Sequence, residues 1–284
     1  MSAIIRVPAS SANLGPGFDA LAMALGLYAE FGLVDDGIPH GAHRADEHHP
    51  AMVAFRLARG EGGLWVRSSI PMGRGMGYSG AVRVGGLVAA HVQHHGTADD
   101  DELTAARARW LLMATELEGH ADNVAASIYG GVVATAAGRA VRIPMPFDPM
   151  VVVWAPSFTT STDASRATLA ATLPFAEAAF NVGRTALLVA ALAAGDVAAL
   201  RDATQDRMHQ EVRFQAAAPS RVALDAALGA GAWCGWLSGS GPTIATLCRH
   251  DVVDDVARVL AAVPEPASTK VLRVDHAGAA IEAS

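Results

Sequence analysis

Four groups of residues in this chain have types and spacings suited to chemistry on phosphate and carboxylate. Residues 71–81 read Pro-Met-Gly-Arg-Gly-Met-Gly-Tyr-Ser-Gly-Ala. They follow a strand candidate, Leu64 to Ile70, and precede an apolar run, Val82 to Val92. A glycine-rich loop opening a helix offers unpaired N–H groups and the positive helix end to an anion. Gly73, Gly75 and Gly77 let the backbone come close to phosphate, and Ser79 stands where a hydroxyl could touch phosphate or its metal. The Gly-Lys-Ser/Thr ending of a Walker loop is absent. Further on, Glu116-Leu-Glu-Gly-His-Ala-Asp-Asn123 follows a stretch with helical apolar spacing at Leu103, Ala106, Trp110, Leu111 and Ala114. Glu118 thus lies near a helix end, with Asp122 and Asn123 in the turn beyond it. A hard carboxylate oxygen suits Mg²⁺, which takes one or two carboxylates plus substrate phosphates.

The other two groups suit a small charged ligand. Residues 8–19 read Pro-Ala-Ser-Ser-Ala-Asn-Leu-Gly-Pro-Gly-Phe-Asp, after a strand-like run from Ala3 to Val7. Turn chemistry of that density needs special backbone angles and could aim Asn13 and Asp19 at one ligand. In the second half, Arg166 follows Thr162-Asp-Ala-Ser, and Arg213 ends Asp206-Arg-Met-His-Gln-Glu-Val-Arg. A guanidinium presents a planar fork of donors that matches a carboxylate, so two forks could hold an amino-acid carboxylate. Taken singly, each group has a plainer reading. Glycine-rich turns before helices are common, an acidic helix end is often a surface feature, and a lone arginine often makes a surface ion pair.

Together the groups resemble the GHMP small-molecule kinases, and among them the homoserine kinases. The stretch 8–19 resembles that family's first motif, 71–81 its phosphate loop, and 118–123 its Glu-Gly-His-Pro-Asp-Asn segment with Ala121 in place of proline. Gly235-Trp-Leu-Ser-Gly-Ser-Gly-Pro-Thr-Ile244 resembles the third motif, with Ser240 for alanine. Asn181 also falls in a family-like stretch. The resemblance runs from Pro8 to Thr243 with the motifs in family order.

It implies an α+β, two-lobed fold. An N-terminal lobe over 1–145 would carry the phosphate loop, and a ferredoxin-like α/β lobe over 146–284 would carry both arginines. The Pro-rich segment 143–149 is the expected boundary. The implied cofactors are ATP and Mg²⁺. Backbone and side chains of Gly73, Arg74, Gly75, Met76, Gly77, Tyr78 and Ser79 would bind nucleotide, and Ser79 and Glu118 would hold the metal. Asn13, Asp19, Asn123, Arg166 and Arg213 would orient L-homoserine, with Asp19 facing its ammonium and the arginines its carboxylate. Glu118, Asn123 and Ser79 form the implied catalytic set. With Asn rather than Asp at 123, the work would fall to positioning and charge neutralisation rather than to a strong base.

The chain departs from the family in several places. Tyr78 stands where the family has the first of two serines; it could block the nucleotide path, stack on a base or point away. Arg83, one turn on, is unusual. Residues 35–50 are shorter than the family's adenine-holding region and carry His40, His43, His48 and His49, a set that reads as a solvated loop. His91, His94 and His95 read as surface residues. These departures keep two other readings open: a GHMP kinase for a different hydroxylated metabolite, or a ligand-binding member of the fold without catalysis.

Composition fits and excludes little. At 284 residues the chain can bury a substantial core, and a net charge of −7 disfavours nucleic acid. The expectation is a cytoplasmic protein acting on a small amino-acid alcohol, with no membrane span, no signal segment and no disulfide framework from its two cysteines. A homodimer is left open.

Overall fold

The computed structural model describes residues 3–96 and 100–283. Eleven strands and ten α-helices are assigned among them, in two antiparallel sheets. In the first sheet β1 (Ala3–Ala12) pairs with β2 (Leu21–Leu33), which pairs with β4 (Leu64–Ser68), with the short β3 (His43–Arg44) at that edge. The hairpin β5 (Val132–Ala136) and β6 (Arg139–Ile143) joins the start of β2, and β11 (Ala280–Ala283) returns from the far end of the chain to pair with β1. The second sheet runs β10 (Ala267–Arg273), β7 (Met150–Pro156), β9 (Ile244–Cys248), β8 (Cys234–Leu237).

Helices cover each sheet. α1 (Pro50–Leu57), α2 (Tyr78–His95), α3 (Asp100–Glu118) and α4 (Asp122–Tyr129) belong with the first, where α2 and α4 pack on β1 and β2. The short α5 (Thr162–Ala167), the long α6 (Phe175–Ala194), and then α7 (Leu200–Ala203) and α8 (Gln210–Ala216) lead to α9 (Ala218–Gly229) and α10 (Val253–Ala261), which lie on the second sheet. The main core joins Phe31, Phe55, Leu87 and Ile128 to Trp236 and Leu247 from the second half, and a smaller one surrounds Trp154 and Leu260.

His91 is buried, edge-on to Trp110, where the sequence reading has a surface residue, and three further local features differ from expectation. The first strand does not stop at Val7 but runs to Ala12. Pro8 is accommodated because it sits at a shift of register between β1 and β2, beyond the Ala3–Arg6 stretch that pairs with β11. The loop of the first motif is therefore confined to the residues between Ala12 and Leu21. Second, α6 is long and apolar enough to cross a membrane by length and composition, contrary to the expectation that no such stretch exists. It packs on the protein through Leu188, Ala191 and Leu192 while Phe175 and Val182 stay exposed. Third, His49 does not belong to a solvated loop. Its Nδ1 accepts from the N–H of Ala51 at 3.1 Å, capping α1, with Pro50 in the first turn. Cys234 and Cys248 are buried free thiols, pushed by burial up to about 12 and about 11, so neither is a poised nucleophile.

Candidate active site

The first motif is held in a rare backbone shape. Asn13, Leu14 and Asp19 all have positive φ, at 73°, 48° and 54°. Left-handed backbone at non-glycine residues is costly and persists where the surroundings over-determine it. Here Asn13 does the fixing. Its Nδ2 donates to the carbonyl of Gly239 at 3.0 Å and its Oδ1 accepts the N–H of Asp19 at 3.1 Å. Both ends of the buried amide are thus committed to shaping the loop, which turns Asp19 outward.

The phosphate loop is pinned from both halves of the chain. Gly75 has φ +72°, and a Cβ placed on it would stand 2.1 Å from the carbonyl oxygen of Ser238. Only a residue without a side chain permits that approach. Ser238 Oγ donates to the Gly75 carbonyl at 2.6 Å and shares a 2.7 Å bond with Ser11 Oγ, which also accepts from Trp236 Nε1 at 2.9 Å. First, second and third motifs therefore meet through one buried polar chain. Met76 is buried in the core, and Arg74 reaches the carbonyl of Ser157 at 3.2 Å. Gly77, in the left-handed region, starts α2, so the first turn of an 18-residue helix faces the cavity.

Glu118 is the last residue of α3 and meets the first turn of α2. Ser79 Oγ donates to Glu118 Oε2 at 2.9 Å, and Nη1 of Arg83 bonds to both of those oxygens. One hydroxyl and one carboxylate side by side form a hard-oxygen donor set that fits Mg²⁺, the phosphates of a nucleotide supplying the remainder. No cluster of three or more His, Cys, Asp or Glu suited to a metal occurs among the described residues.

Beyond Glu118 the chain turns into α4. Asp122 is buried; its Oδ1 accepts the N–H of Asn123 at 2.7 Å and a proton of His120 Nδ1 at 3.0 Å. That bond raises the imidazole above its ordinary range. Asn123 Oδ1 accepts from Ser10 Oγ at 2.9 Å, which anchors the side chain.

The arginines arrive from the second half. Arg166 forms a two-pronged pair with Asp19, at 2.7 and 2.8 Å, which raises its pKa further. Arg213 is different. It is buried, its Nη1 donates to the Gly239 carbonyl at 2.9 Å and to His209 Nδ1 at 3.2 Å, and its Nε has no partner. Among the described residues it has no carboxylate within ion-pair distance. Burial, with Arg166 nearby, lowers its pKa, yet a guanidinium stays protonated. His209 Nε2 donates to the Gly15 carbonyl at 2.8 Å, so its Nδ1 is the bare nitrogen that Arg213 needs.

All the site residues inferred from sequence line one cavity of about 310 Å³: Asn13, Asp19, Gly73 to Ser79, Glu118, Asn123, Arg166 and Arg213. Asn181 does not join them. It is buried at 2.7 Å from Asp206 Oδ1 and receives the N–H of Arg207. His49, Pro50, Met72, His120, Asp122, Thr160, Thr162 and Ser240 line the same cavity and were not singled out as site residues. Tyr78 is half-buried with its hydroxyl 3.3 Å from His49 Nε2.

Comparisons with known proteins place the chain in a family. The model for the N-terminal domain of GHMP kinases matches residues 45–131, and that for the C-terminal domain matches 188–265. The class is therefore a small-molecule kinase. A homoserine kinase from Streptomyces avermitilis is 40% identical over 279 residues, covering 90% of this chain and 88% of that one. One from Moorella thermoacetica is 37% identical over 265 residues, 87% of each chain. The crystal structure of homoserine kinase from Cytophaga hutchinsonii shares the fold, with a TM-score of 0.84 over 99% of this chain and 97% of that one at 23% identity. The chain belongs to the GHMP kinases, on their homoserine kinase branch.

Proposed function

We propose that the enzyme transfers the γ-phosphoryl of ATP to the hydroxyl of L-homoserine, a step of threonine biosynthesis in the cytoplasm. The observation that carries the substrate reading is Arg213: a buried cation on the cavity wall with an unpartnered Nε and no carboxylate of its own. A buried charge without a counter-ion is costly, so the site is built to receive an anion. Arg166 and Asp19, paired with each other, supply a cation and an anion at the cavity's rim. An exposed pair of this kind contributes little by itself. An amino-acid zwitterion can replace it group for group, its ammonium on Asp19 and its carboxylate between Arg166 and Arg213.

With those charges placed, the side-chain hydroxyl of homoserine lies toward Asn123 and the phosphate loop. The N–H groups of residues 73–79 and the first turn of α2 receive the phosphates. Mg²⁺ accompanies the nucleotide; Ser79 and Glu118 would hold it, and it would neutralise charge on the phosphates. Asn123, anchored by Ser10, orients the hydroxyl but takes no proton. The rate therefore rests on alignment and charge stabilisation, as phosphoryl transfer allows.

Arg213→Leu tests the substrate assignment. Loss of a charge-assisted hydrogen bond of roughly 1.5–3 kcal/mol should weaken homoserine binding by about 10- to 100-fold and leave ATP binding unchanged, as read by titration calorimetry. A fall in ATP affinity with homoserine binding intact would assign Arg213 to the nucleotide instead.

A further inference from the structure

Arg83 is a cation that neither the substrate nor the phosphate assignment uses. It lies four residues after Ser79 on α2, so the two side chains share one helix face. Its Nη1 bonds at once to Ser79 Oγ and Glu118 Oε2. The ion pair is sheltered, with the Arg83 side chain 21% and the Glu118 side chain 11% exposed, so water screens it only in part. Ser79 and Glu118 line the cavity whereas Arg83 does not. The guanidinium therefore meets the pair from outside the cavity. Any divalent ion at Ser79 and Glu118 must draw on the same two oxygens that Arg83 already engages, and on a carboxylate charge that Arg83 already balances.

We propose that Arg83 is a positioning residue, an internal counter-ion that keeps the Ser79–Glu118 pair electrically neutral until a divalent cation arrives together with nucleotide phosphates. This rests on the assignment of Ser79 and Glu118 as the cation-holding pair. A bare divalent ion gains little from a carboxylate whose charge is already compensated, and it meets the repulsion of a guanidinium a few ångströms away. An ion already chelated by phosphates brings its own negative charge and most of its ligands. Without nucleotide, the site then rejects free metal, and it accepts the metal–nucleotide complex.

The test is a titration of the nucleotide-free full chain with Mn²⁺, following free Mn²⁺ by electron paramagnetic resonance. The proteins are wild type, Arg83→Leu, Arg83→Lys, and Arg83→Leu combined with Glu118→Gln. Circular dichroism checks the fold, and Arg83→Gln replaces Arg83→Leu if the latter does not fold. Removing the counter-ion should tighten Mn²⁺ binding by about tenfold or more. Lysine should restore weak binding, and Glu118→Gln should abolish the gain. Equal Mn²⁺ affinity in wild type and the uncharged variant overturns the proposal, as does a gain that survives Glu118→Gln. Failure of the enzyme to phosphorylate homoserine, with the Mn²⁺ pattern as expected, faults the substrate assignment and leaves the counter-ion role standing.

Discussion

Tyr78, which lines the cavity at the mouth of the phosphate loop, is the residue we propose to meet the nucleotide base. His49 Nδ1 accepts from a backbone N–H, and burial lowers the pKa of the ring, so the ring is neutral with its proton on Nε2. That N–H donates to the Tyr78 hydroxyl at 3.3 Å, and both residues line the cavity. A base laid on the Tyr78 ring would gain ~1–3 kcal/mol, the range for aromatic–base stacking. Tyr78→Ser is expected to weaken Mg-ATP binding by about tenfold in calorimetry. Tighter binding with faster turnover would instead mark Tyr78 as an obstruction. Little of this was legible in the sequence. Tyrosine at 78 was visibly out of place, but its partner is 29 residues away in a histidine-rich stretch that reads as solvated loop.

At the scale of elements, the site depends on how closely three turns approach. The phosphate loop can lie against the third motif only because Gly75 has no Cβ and tolerates φ +72°. Gly75→Ala adds a methyl group into a carbonyl oxygen at 2.1 Å, on top of about 1–2 kcal/mol for the left-handed backbone. The variant should melt several degrees lower and lose nucleotide affinity more than homoserine affinity. Unchanged melting and nucleotide binding would mean that the two turns do not interlock. The glycine pattern made both turns legible, since each glycine follows a strand or opens a helix. The strand, helix and loop order around them was legible for the same reason, because apolar periodicity reports local structure. What the pattern could not give was the polar chain from Trp236 through Ser11 and Ser238 to Gly75, because those bonds span 163 to 227 positions. It also misplaced the end of β1, because a proline inside a strand is ordinarily a stop and the register shift at Pro8 leaves no local mark.

For the whole molecule, the cavity exists only where both halves of the chain meet, and the last strand returns to pair with the first. His209 is part of that junction: it holds the Gly15 carbonyl on one side and Arg213 on the other. Burial lowers its pKa below the ordinary value of about 6.5, against the opposing pull of Asp206. The unfolded chain therefore binds more protons than the folded one as pH falls below about 6.5. The contribution of neutral His209 is complete above that pH and is lost as pH drops toward the folded-state value. Urea denaturation at pH 7.5 and pH 5 should show a larger loss of stability in wild type than in His209→Gln; equal losses would remove His209 from the acid response. The charges that single out an amino-acid substrate come together at this scale too. Asp19 and Arg166 lie 147 positions apart, so sequence could nominate each arginine but not their different states, one paired at the rim and one buried without a counter-ion. The central claim is phosphoryl transfer to the hydroxyl of homoserine, and the phosphorus-31 spectrum of a reaction with ATP, Mg²⁺ and L-homoserine tests it most directly. The account predicts a new phosphomonoester signal, split by the two protons of the adjacent methylene and rising in step with ADP. ADP accompanied only by inorganic phosphate, or no consumption of ATP at all, would contradict it.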